Sequence, residues 1–296
     1  MPLVRRISAR RRMQFLLGLL LLGLFLADYQ FGDDHVPVLN AVAPVVLAKE
    51  VVSADPFENM VRNNPLAALI EARASHLRKV KDYEVTFVKQ EALPSGMSAE
   101  QEIQVKFRNE PYSVFMHWTR NQGLAERVLY VKGRWIDEDA DNADEREQAV
   151  CQPGKALRLL VKSIKQPIHG ALSHDASRRY IDEFGFQRSL DLLIQYCELA
   201  NKRNELKLEY RGESFFDGRP TWVLRRHLPY EKEGGDYPDR ICEIHIDREY
   251  RIPVAVYCYA KDDMKPESLL GKYEYTNIRL NAGLTEADFE PATYGM

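Results

Sequence analysis

Segments in which apolar and polar residues alternate constrain the fold of this 296-residue chain more than any other feature of its sequence. Residues 102–108 alternate strictly, with apolar side chains on one side and charged or amide side chains on the other. A period of two residues is that of a β-strand with one buried face. A turn at 109–111 follows, and the apolar side of the resulting hairpin comprises Ile103, Val105, Phe107, Tyr112, Val114, Met116 and Trp118.

A second hairpin of the same kind is predicted around residue 250. Its apolar side comprises Cys242, Ile244, Ile246, Ile252, Val254, Val256 and Cys258. Further strands are predicted at 83–87, 206–210, 221–227 and 272–280. In the last of these, Tyr275 and Ile278 fall on opposite sides of the strand, so we expect a β-bulge near Thr276–Asn277.

Three helices are predicted among these strands. Asn64 and Pro65 suit the cap and first position of a helix that continues to about Val80. A second helix begins near Ser189, and a third spans 155–165 with one apolar and one basic face. The basic face comprises Lys155, Arg158, Lys162 and Lys165.

The order of these elements predicts the fold class. Strands that follow one another as antiparallel hairpins, with helices grouped between them, are typical of an α+β fold. We expect a strongly curved antiparallel β-sheet, an unclosed barrel, with helices on its concave side. Residues 56–296 would form this domain, since about 240 residues suffice for one such body.

The first 55 residues predict export. Five arginines precede the uncharged residues 15–27, as in a signal peptide. These thirteen residues would cover roughly 20 Å as a helix, less than the ~30 Å hydrocarbon core of a bilayer. We expect a signal peptide or an uncleaved N-terminal anchor helix at 1–27 and a linker at 28–55. The protein would then be periplasmic, with residues 13–27 as its anchor in the inner membrane if they are retained.

Charge and motif content exclude several functions. Five of the 41 basic residues lie in the first twelve positions, which leaves 36 basic and 44 acidic residues in the rest of the chain. Such an acidic body is a poor nucleic-acid binder, because phosphate binding needs clustered lysine and arginine. The sequence has no HExxH, Gly-x-Ser-x-Gly or phosphate-binding glycine loop, and we expect no catalytic residues, metal or cofactor. The acidic segment 137–145 begins like a calcium loop but lacks its glycine and closing glutamate, and we interpret it as a solvated loop.

Three groups of residues allow two interpretations each. The basic face of the helix at 155–165 is either solvated or docked on anionic lipid head groups. Cys242 and Cys258 would lie directly opposite each other in a hairpin centred on residue 250, either as a disulfide or as two small buried residues. The apolar strand faces form either an ordinary core or the wall of a hydrophobic-ligand cavity. The candidate wall comprises Val105, Phe107, Val114, Met116, Trp118, Ile244, Val256 and Tyr275.

Five segments of the body also resemble a known family, and they are Tyr83–Glu91, Val105–Trp118, Ser177–Gly185, Ile246–Tyr259 and Leu284–Pro291. They are similar to the bacterial domain-of-unknown-function family number 1571, whose fold resembles the periplasmic lipoprotein-carrier (LolA-like) proteins. The resemblance implies an unclosed β-barrel whose hollow is lined by apolar side chains and plugged by helices. It implies no catalytic set, and the acidic segment 137–145 has no counterpart in the family pattern.

Together with the predicted export, this resemblance leads to one main functional hypothesis. We expect a non-enzymatic envelope protein that binds or senses a hydrophobic ligand, a lipid or an acyl chain, in a half-barrel cavity. The alternative is an envelope protein–protein interaction or regulatory module without a small ligand. An unrecognised hydrolase is a third hypothesis, which a polar cleft with converging histidine and carboxylate side chains would support.

Overall fold

The computed structural model describes residues 55–158 and 160–296. The export signal or anchor predicted at 1–27, and the linker apart from its last residue, lie outside these residues. Across the described ranges, no helix combines the length and the apolar composition that crossing a membrane requires. The α-helices are Pro56–Asn63 (α1), Pro65–Lys79 (α2), Lys155–Arg158 (α3), Ala171–Ala176 (α4) and Phe186–Lys202 (α5).

The described strands form one 12-stranded sheet in which every pair of neighbours is antiparallel. In chain order the strands are Asp82–Leu93 (β1), Gly96–Met97 (β2), Gln101–Arg108 (β3), Ser113–Arg120 (β4), Ala125–Val131 (β5), Gln148–Pro153 (β6), Ile164–Pro167 (β7), Lys207–Phe216 (β8), Arg219–His227 (β9), Ile241–Asp247 (β10), Pro253–Tyr259 (β11) and Leu269–Leu280 (β12).

The sheet is open, with β7 and β8 as its two edges. Its order is β7-β6-β5-β4-β3-β1-β12-β11-β10-β9-β8, and β2 pairs only with β1. Between the two edge strands the chain forms α4 and α5. Helix α5 lies with α1 and α2 on the concave side of the sheet. The predicted fold class, a curved, unclosed antiparallel sheet with helices on its concave side, is confirmed.

The predicted bulge in β12 is also confirmed. Glu84 pairs with Arg279, whereas Thr86 pairs with Thr276, so β12 has one more residue than β1 in this interval. Asn277 takes up the extra residue with a φ of 51°. The bulge restores the inward direction of the strand, because Ile278 packs on the same cluster as Tyr275.

Aspartate or asparagine followed by proline begins the first two helices. Asn64 caps α2 as predicted, since its side chain accepts a hydrogen bond of 3.2 Å from the backbone N–H of Ala67. Asp55 caps α1 in the same way, with a bond of 2.9 Å from Phe57. The sequence analysis did not predict α1, although its Asp-Pro start is the same signal as the Asn-Pro start of α2.

Helix α5 begins three residues before the predicted start at Ser189. Its first backbone N–H, that of Phe186, donates to the Tyr83 hydroxyl at 3.3 Å, which gives the helix a cap from a distant strand. Gly185 precedes it with a φ of 108°, and a Cβ there would lie 2.7 Å from the same hydroxyl. The close approach requires glycine. A local pattern does not reveal a cap that only the tertiary structure provides.

The helix predicted at 155–165 is wrong over most of its length. Helix α3 ends at Arg158, and Ile164–Pro167 instead forms the edge strand β7. Ile164 pairs with Cys151 and Lys165 with Val150 on β6. Hydrogen bonds to the open edge of β6 outweigh the helical spacing of a short segment, since secondary-structure propensity is weak beside tertiary contacts.

The described residues form five apolar clusters, of which the three largest cover both faces of the sheet. The first lies between α1, α2 and α5 and the strands β8 to β12, and the second lies between the start of α5 and the strands β1, β3, β4, β11 and β12. The third is on the other face of the sheet, where Phe289 and Met296 of the C-terminal segment cover strands β4 to β6. Helix α5 therefore belongs to both concave clusters, and its stripe comprises Phe186, Leu190, Leu193, Ile194, Cys197 and Ala200.

His76 of α2 is an ionisable residue within this packing. It is 3% exposed, and neither ring nitrogen has a hydrogen-bond partner among the described residues. Its ring lies 5.9 Å from that of Phe186 and 6.4 Å from that of Tyr83, measured between centroids. Burial lowers the pKa of His76 from 6.5 to about 4, because the charged ring would lose its hydration.

We predict that His76 makes the stability depend on pH between about 4 and 6.5. In this window the unfolded chain binds a proton that the folded chain does not, so the free energy of unfolding falls as the pH is lowered. The loss between pH 7 and pH 5 should be about 2 kcal/mol larger for the wild type than for His76→Leu. Urea unfolding at both pH values measures it, and equal losses in the two proteins would contradict the assignment.

Candidate ligand-binding site

The predicted wall residues lie on the concave side and are packed against helices. Seven of them are buried, and Trp118 is half-buried. Val105, Phe107, Val114, Met116 and Tyr275 meet Phe184 and Phe186 in the second cluster, with Trp118 at its margin. Ile244 and Val256 belong to the first cluster. The structure thus places the predicted wall on one side of the sheet but divides it between two clusters that α5 covers.

An open groove lies at the end of the concave side where the β8–β9 and β10–β11 hairpins turn. Its volume is about 370 Å³, within the range of roughly 300–1,000 Å³ that is usual for small-molecule sites. Its apolar lining comprises Phe216, Tyr250, Val254, Tyr275 and Ile278. Val254 and Tyr275 are buried, whereas Phe216 and Ile278 are half-buried. Of the predicted wall, only Tyr275 lines this groove.

The bulge in β12 contributes to the shape of the groove. Thr276, Asn277, Ile278 and Arg279 all line it, so the irregular part of the strand forms one side. Asn277 is held in place by a hydrogen bond of 3.1 Å from its side-chain amide to the Thr86 hydroxyl. In a regular strand Tyr275 and Ile278 would fall on opposite sides, and this irregularity in the sequence was the signal for this side of the groove. No comparable signal indicated Phe216 and Tyr250, which come from two different hairpins.

Two arginines line the groove, and their environments differ. Arg219 donates to both carboxylate oxygens of Asp247, whose side chain is 0% exposed. These hydrogen bonds raise the pKa of Arg219, and its guanidinium lies 4.2 Å from the centre of the Tyr250 ring. Arg279 pairs with Glu84 at 2.7 Å, but its own side chain is 69% exposed. An exposed pair of this kind contributes little to stability, so Arg279 can turn to another anion at low cost.

A polar row crosses the opposite end of the concave side. Neighbouring strands place Glu91, Gly271, Cys258, Cys242 and Arg226 side by side in register. The predicted opposition of Cys242 and Cys258 is confirmed, and their sulfur atoms lie 3.9 Å apart as free thiols. All four cysteines of the chain are free in this structure.

Glu91 organises one end of the polar row. It is 1% exposed and accepts hydrogen bonds from Lys89 Nζ at 2.7 Å, Ser177 Oγ at 3.0 Å and Tyr273 Oη at 2.9 Å. Burial opposes ionisation of Glu91, but the Lys89 charge and these donors lower its pKa overall. Gly271 makes room for this arrangement, because a Cβ there would lie 2.7 Å from the Tyr273 hydroxyl.

Arg226 occupies the other end of the polar row. It is 2% exposed and donates to both oxygens of Asp239, at 3.2 and 3.0 Å. Burial opposes its charge, yet Asp239 and the neighbouring thiols raise the pKa of Arg226. Its Nε has no hydrogen-bond partner among the described residues. The two ends of the polar row therefore hold charges that are paired and almost fully buried.

The four basic residues predicted on one helix face are not grouped on one helix. Lys155 and Arg158 belong to α3, Lys162 follows it, and Lys165 lies on β7. Arg158 contacts Glu126 at 3.3 Å.

The acidic segment 137–145 forms an exposed loop. It ends in a short 3-10 turn over Ala143–Glu145, capped by the side chain of Asn142. Asp137 accepts a hydrogen bond of 3.2 Å from the Gln148 side chain at the base of the loop. None of the residues of this loop lines the groove.

Beside its apolar side chains and two arginines, the groove is lined by the carboxylate of Asp217. Its lining contains no histidine. Histidine–carboxylate contacts occur elsewhere in the described chain, as between His245 and Glu243 at 3.5 Å, where Arg225 also holds Glu243 at 2.6 Å. The groove can bury an apolar chain against its aromatic and aliphatic lining while Arg279 neutralises an anionic end.

Comparisons with known proteins identify similar chains. A family model described as "Protein of unknown function (DUF1571)" matches residues 80–294. No curated protein matches. Among solved structures, MucB has 16% identity and a TM-score of 0.43 over 76% of this chain, which spans only 62% of MucB. Mycobacterium tuberculosis lipoprotein LppX has 11% identity and a TM-score of 0.40, with 75% of this chain and 98% of LppX covered. A LolA superfamily protein from Nitrosomonas europaea has 11% identity and a TM-score of 0.22, with 76% and 97% covered.

We predict that the Arg226–Asp239 pair is essential for stability. Asp239→Asn leaves a buried guanidinium without its counter-charge, which should cost about 3–5 kcal/mol of unfolding free energy. Asp262→Asn is the matched control, because Asp262 pairs with Arg240 at 3.2 Å but is 62% exposed. It should cost less than about 1 kcal/mol. Urea unfolding followed by the fluorescence of the buried Trp222 measures both, and similar losses in the two variants would refute the prediction.

Proposed function

The chain belongs to the DUF1571 family, and we propose that it is a non-enzymatic protein that binds a hydrophobic ligand, a lipid or an acyl chain, on the concave side of its open sheet. The family match confirms the resemblance found in the sequence. The observation that carries the proposal is the open groove beside the β12 bulge, with its five apolar side chains and two arginines. The ligand's hydrocarbon part would lie in the groove and its anionic end beside Arg279.

Burial of a hydrocarbon chain in the groove would supply part of the binding energy. Burial yields about 0.8 kcal/mol per methylene group, so six to eight methylenes would contribute roughly 5–6 kcal/mol before the costs of association. Even before those costs this energy corresponds to a dissociation constant of about 0.1 mM, so the apolar lining by itself would bind weakly and release its ligand readily. A longer chain would need the packed second cluster to open, where α5 and Phe184 cover the predicted wall.

The location of the protein is part of the proposal. Residues 1–27 predict export to the periplasm by a signal peptide, or retention on the inner membrane by residues 13–27. Lipids and acylated proteins are the hydrophobic ligands of a cell envelope. The basic residues Lys155, Arg158, Lys162 and Lys165 would favour approach to an anionic membrane through their charge alone, since they do not form an amphipathic helix.

Strand addition at a sheet edge is the main route by which the alternative, a protein-interaction module, would act. Edge strand β8 is long enough to accept a partner strand, but charged residues occur along its length. These are Lys207, Glu209, Arg211 and Glu213. The register of β8 also shifts between Tyr210 and Gly212. Charges and bulges on an edge discourage pairing with other chains, and the groove is therefore the better candidate site.

We predict that Phe216→Ala weakens binding of a fluorescent fatty-acid probe about tenfold, because the ring forms part of the apolar lining. Phe215→Ala is the matched control. Phe215 is the preceding residue on β8, points to the other side and is 69% exposed, so its loss should leave the affinity within about twofold. Fluorescence titration measures both proteins. Native mass spectrometry after gentle extraction should show a bound lipid. A protein that carries no lipid and does not bind the fluorescent fatty-acid probe would refute the proposal.

We predict that Arg279 distinguishes anionic from neutral ligands. Arg279→Gln should weaken binding of a fatty acid about two- to fivefold and leave its methyl ester unaffected, because only the acid offers a carboxylate. Arg240→Gln is the control, an exposed arginine that is paired with Asp262 and does not line the groove. Competition titrations with the same probe measure these affinities. An equal loss for acid and ester would show that Arg279 acts through the shape of the groove and not through its charge.

A further inference from the structure

We propose that Cys242 and Cys258 form a redox pair that closes into a disulfide between strands β10 and β11. The proposal is independent of the ligand groove, which lies at the other end of the concave side. It rests on the register of the two strands, on the exposure of the two cysteines and on the buried charge beside them.

The geometry allows the bond without backbone movement. Cys242 and Cys258 face each other directly across neighbouring antiparallel strands, and their sulfur atoms are 3.9 Å apart. Opposed residues in an antiparallel pair have Cα atoms about 4.5–5.5 Å apart, which falls within the 4.4–6.8 Å span of disulfides. Rotation of the two side chains is sufficient to bring the sulfur atoms to bonding distance.

The two cysteines differ in accessibility, as an exchange reaction requires. Cys258 is half-buried and Cys242 is 1% exposed. A soluble disulfide such as oxidised glutathione can reach Cys258 first. Its thiolate attacks the glutathione disulfide, forms a mixed disulfide and releases one glutathione thiolate, which takes up a proton. The Cys242 thiolate then attacks the Cys258 sulfur and releases the second glutathione, so two thiols are oxidised and one disulfide is reduced.

Arg226 provides the charge that this second step needs. It neighbours Cys242 in register on β9, and its Nε is buried without a hydrogen-bond partner among the described residues. The hydrogen bond with Cys258 and burial raise the pKa of Cys242 overall, whereas the Arg226 guanidinium opposes this rise and would stabilise a thiolate formed there. Asp239 balances that guanidinium in the reduced state, because both of its oxygens accept hydrogen bonds from Arg226.

A metal ion is the competing use of the same atoms. Asp239, Cys242 and Cys258 offer one ligand atom each within 4.8 Å of one another. The Asp239 carboxylate, however, is already engaged by Arg226 on both oxygens, and a cation would have to share it with that guanidinium. Two opposed thiols need no third ligand to form a disulfide, and the structure favours the redox pair.

The experiment counts thiols in the full chain. After equilibration with oxidised glutathione, and before any alkylation, the intact mass should be about 2 Da below that of the reduced protein. When the oxidised protein is then unfolded, iodoacetamide should modify two of its four cysteines. Peptide mapping should find residues 242 and 258 in one cross-linked pair. The oxidised protein should unfold roughly 5–10 °C higher, because the bond closes a loop of intermediate length.

Two variants distinguish this pair from other thiols. Cys258→Ser should leave three cysteines that iodoacetamide modifies after the same treatment, with no intramolecular disulfide. Cys151→Ser, on β6 and outside the polar row, should keep the cross-link and leave one modifiable cysteine. Four modified cysteines in the wild type would overturn the proposal, as would a bond to Cys151 or Cys197. The proposal would also be overturned, in favour of a metal site, if the reduced protein retained stoichiometric zinc and the zinc protected Cys242 and Cys258 from iodoacetamide.

Discussion

An antiparallel sheet that does not close leaves one apolar face that must be covered, and in this protein the chain covers it on its way from one edge of the sheet to the other. After edge strand β7 it forms α4 and α5 before it enters edge strand β8. Helix α5 is shared by both concave clusters. The Tyr83 hydroxyl caps its first turn, so the helix is fixed to the centre of the sheet at β1. Both concave clusters depend on this one placement.

The two ends of the concave side, on either side of the covering helices, differ from each other. At the hairpin end the side chains do not fill the space, and the bulge in β12 sets one side of an open groove. At the opposite end the polar row is closed by paired charges, with Glu91 bound by three donors and Arg226 by Asp239. Buried charges of this kind tolerate little movement, since separation leaves them unpaired. The groove end contains one such pair, between Arg219 and the buried Asp247, whereas its other arginine, Arg279, is exposed.

Local patterns in the sequence were sufficient wherever a single strand or helix carried the information. Strict alternation predicted the hairpins, and Asn64–Pro65 predicted the start of α2. The apolar residues of 272–280 change from odd to even positions, and this change predicted the bulge. Side chains at odd and even positions of a regular strand cannot all face one core. The opposition of Cys242 and Cys258 followed from the centre of one hairpin in the same way. The candidate site was less predictable. Only Tyr275 of the proposed wall lines the groove, because Phe216 and Tyr250 reach it from separate hairpins.

The sequence by itself determined the class of fold and the face that each strand buries, since these follow from a two-residue period read along the chain. Only the tertiary structure decided what that face encloses. Whether apolar side chains line a hollow or pack solidly depends on how far from the sheet the crossing helix lies. The spacing of apolar residues within a strand contains no information about the distance between helix and sheet. The segment 164–167 shows the same dependence on contacts outside itself, because its helical spacing yielded to the unpaired edge of the preceding strand β6. Contacts between distant segments supply most of the free energy of such a fold, and they are made only when the chain is assembled.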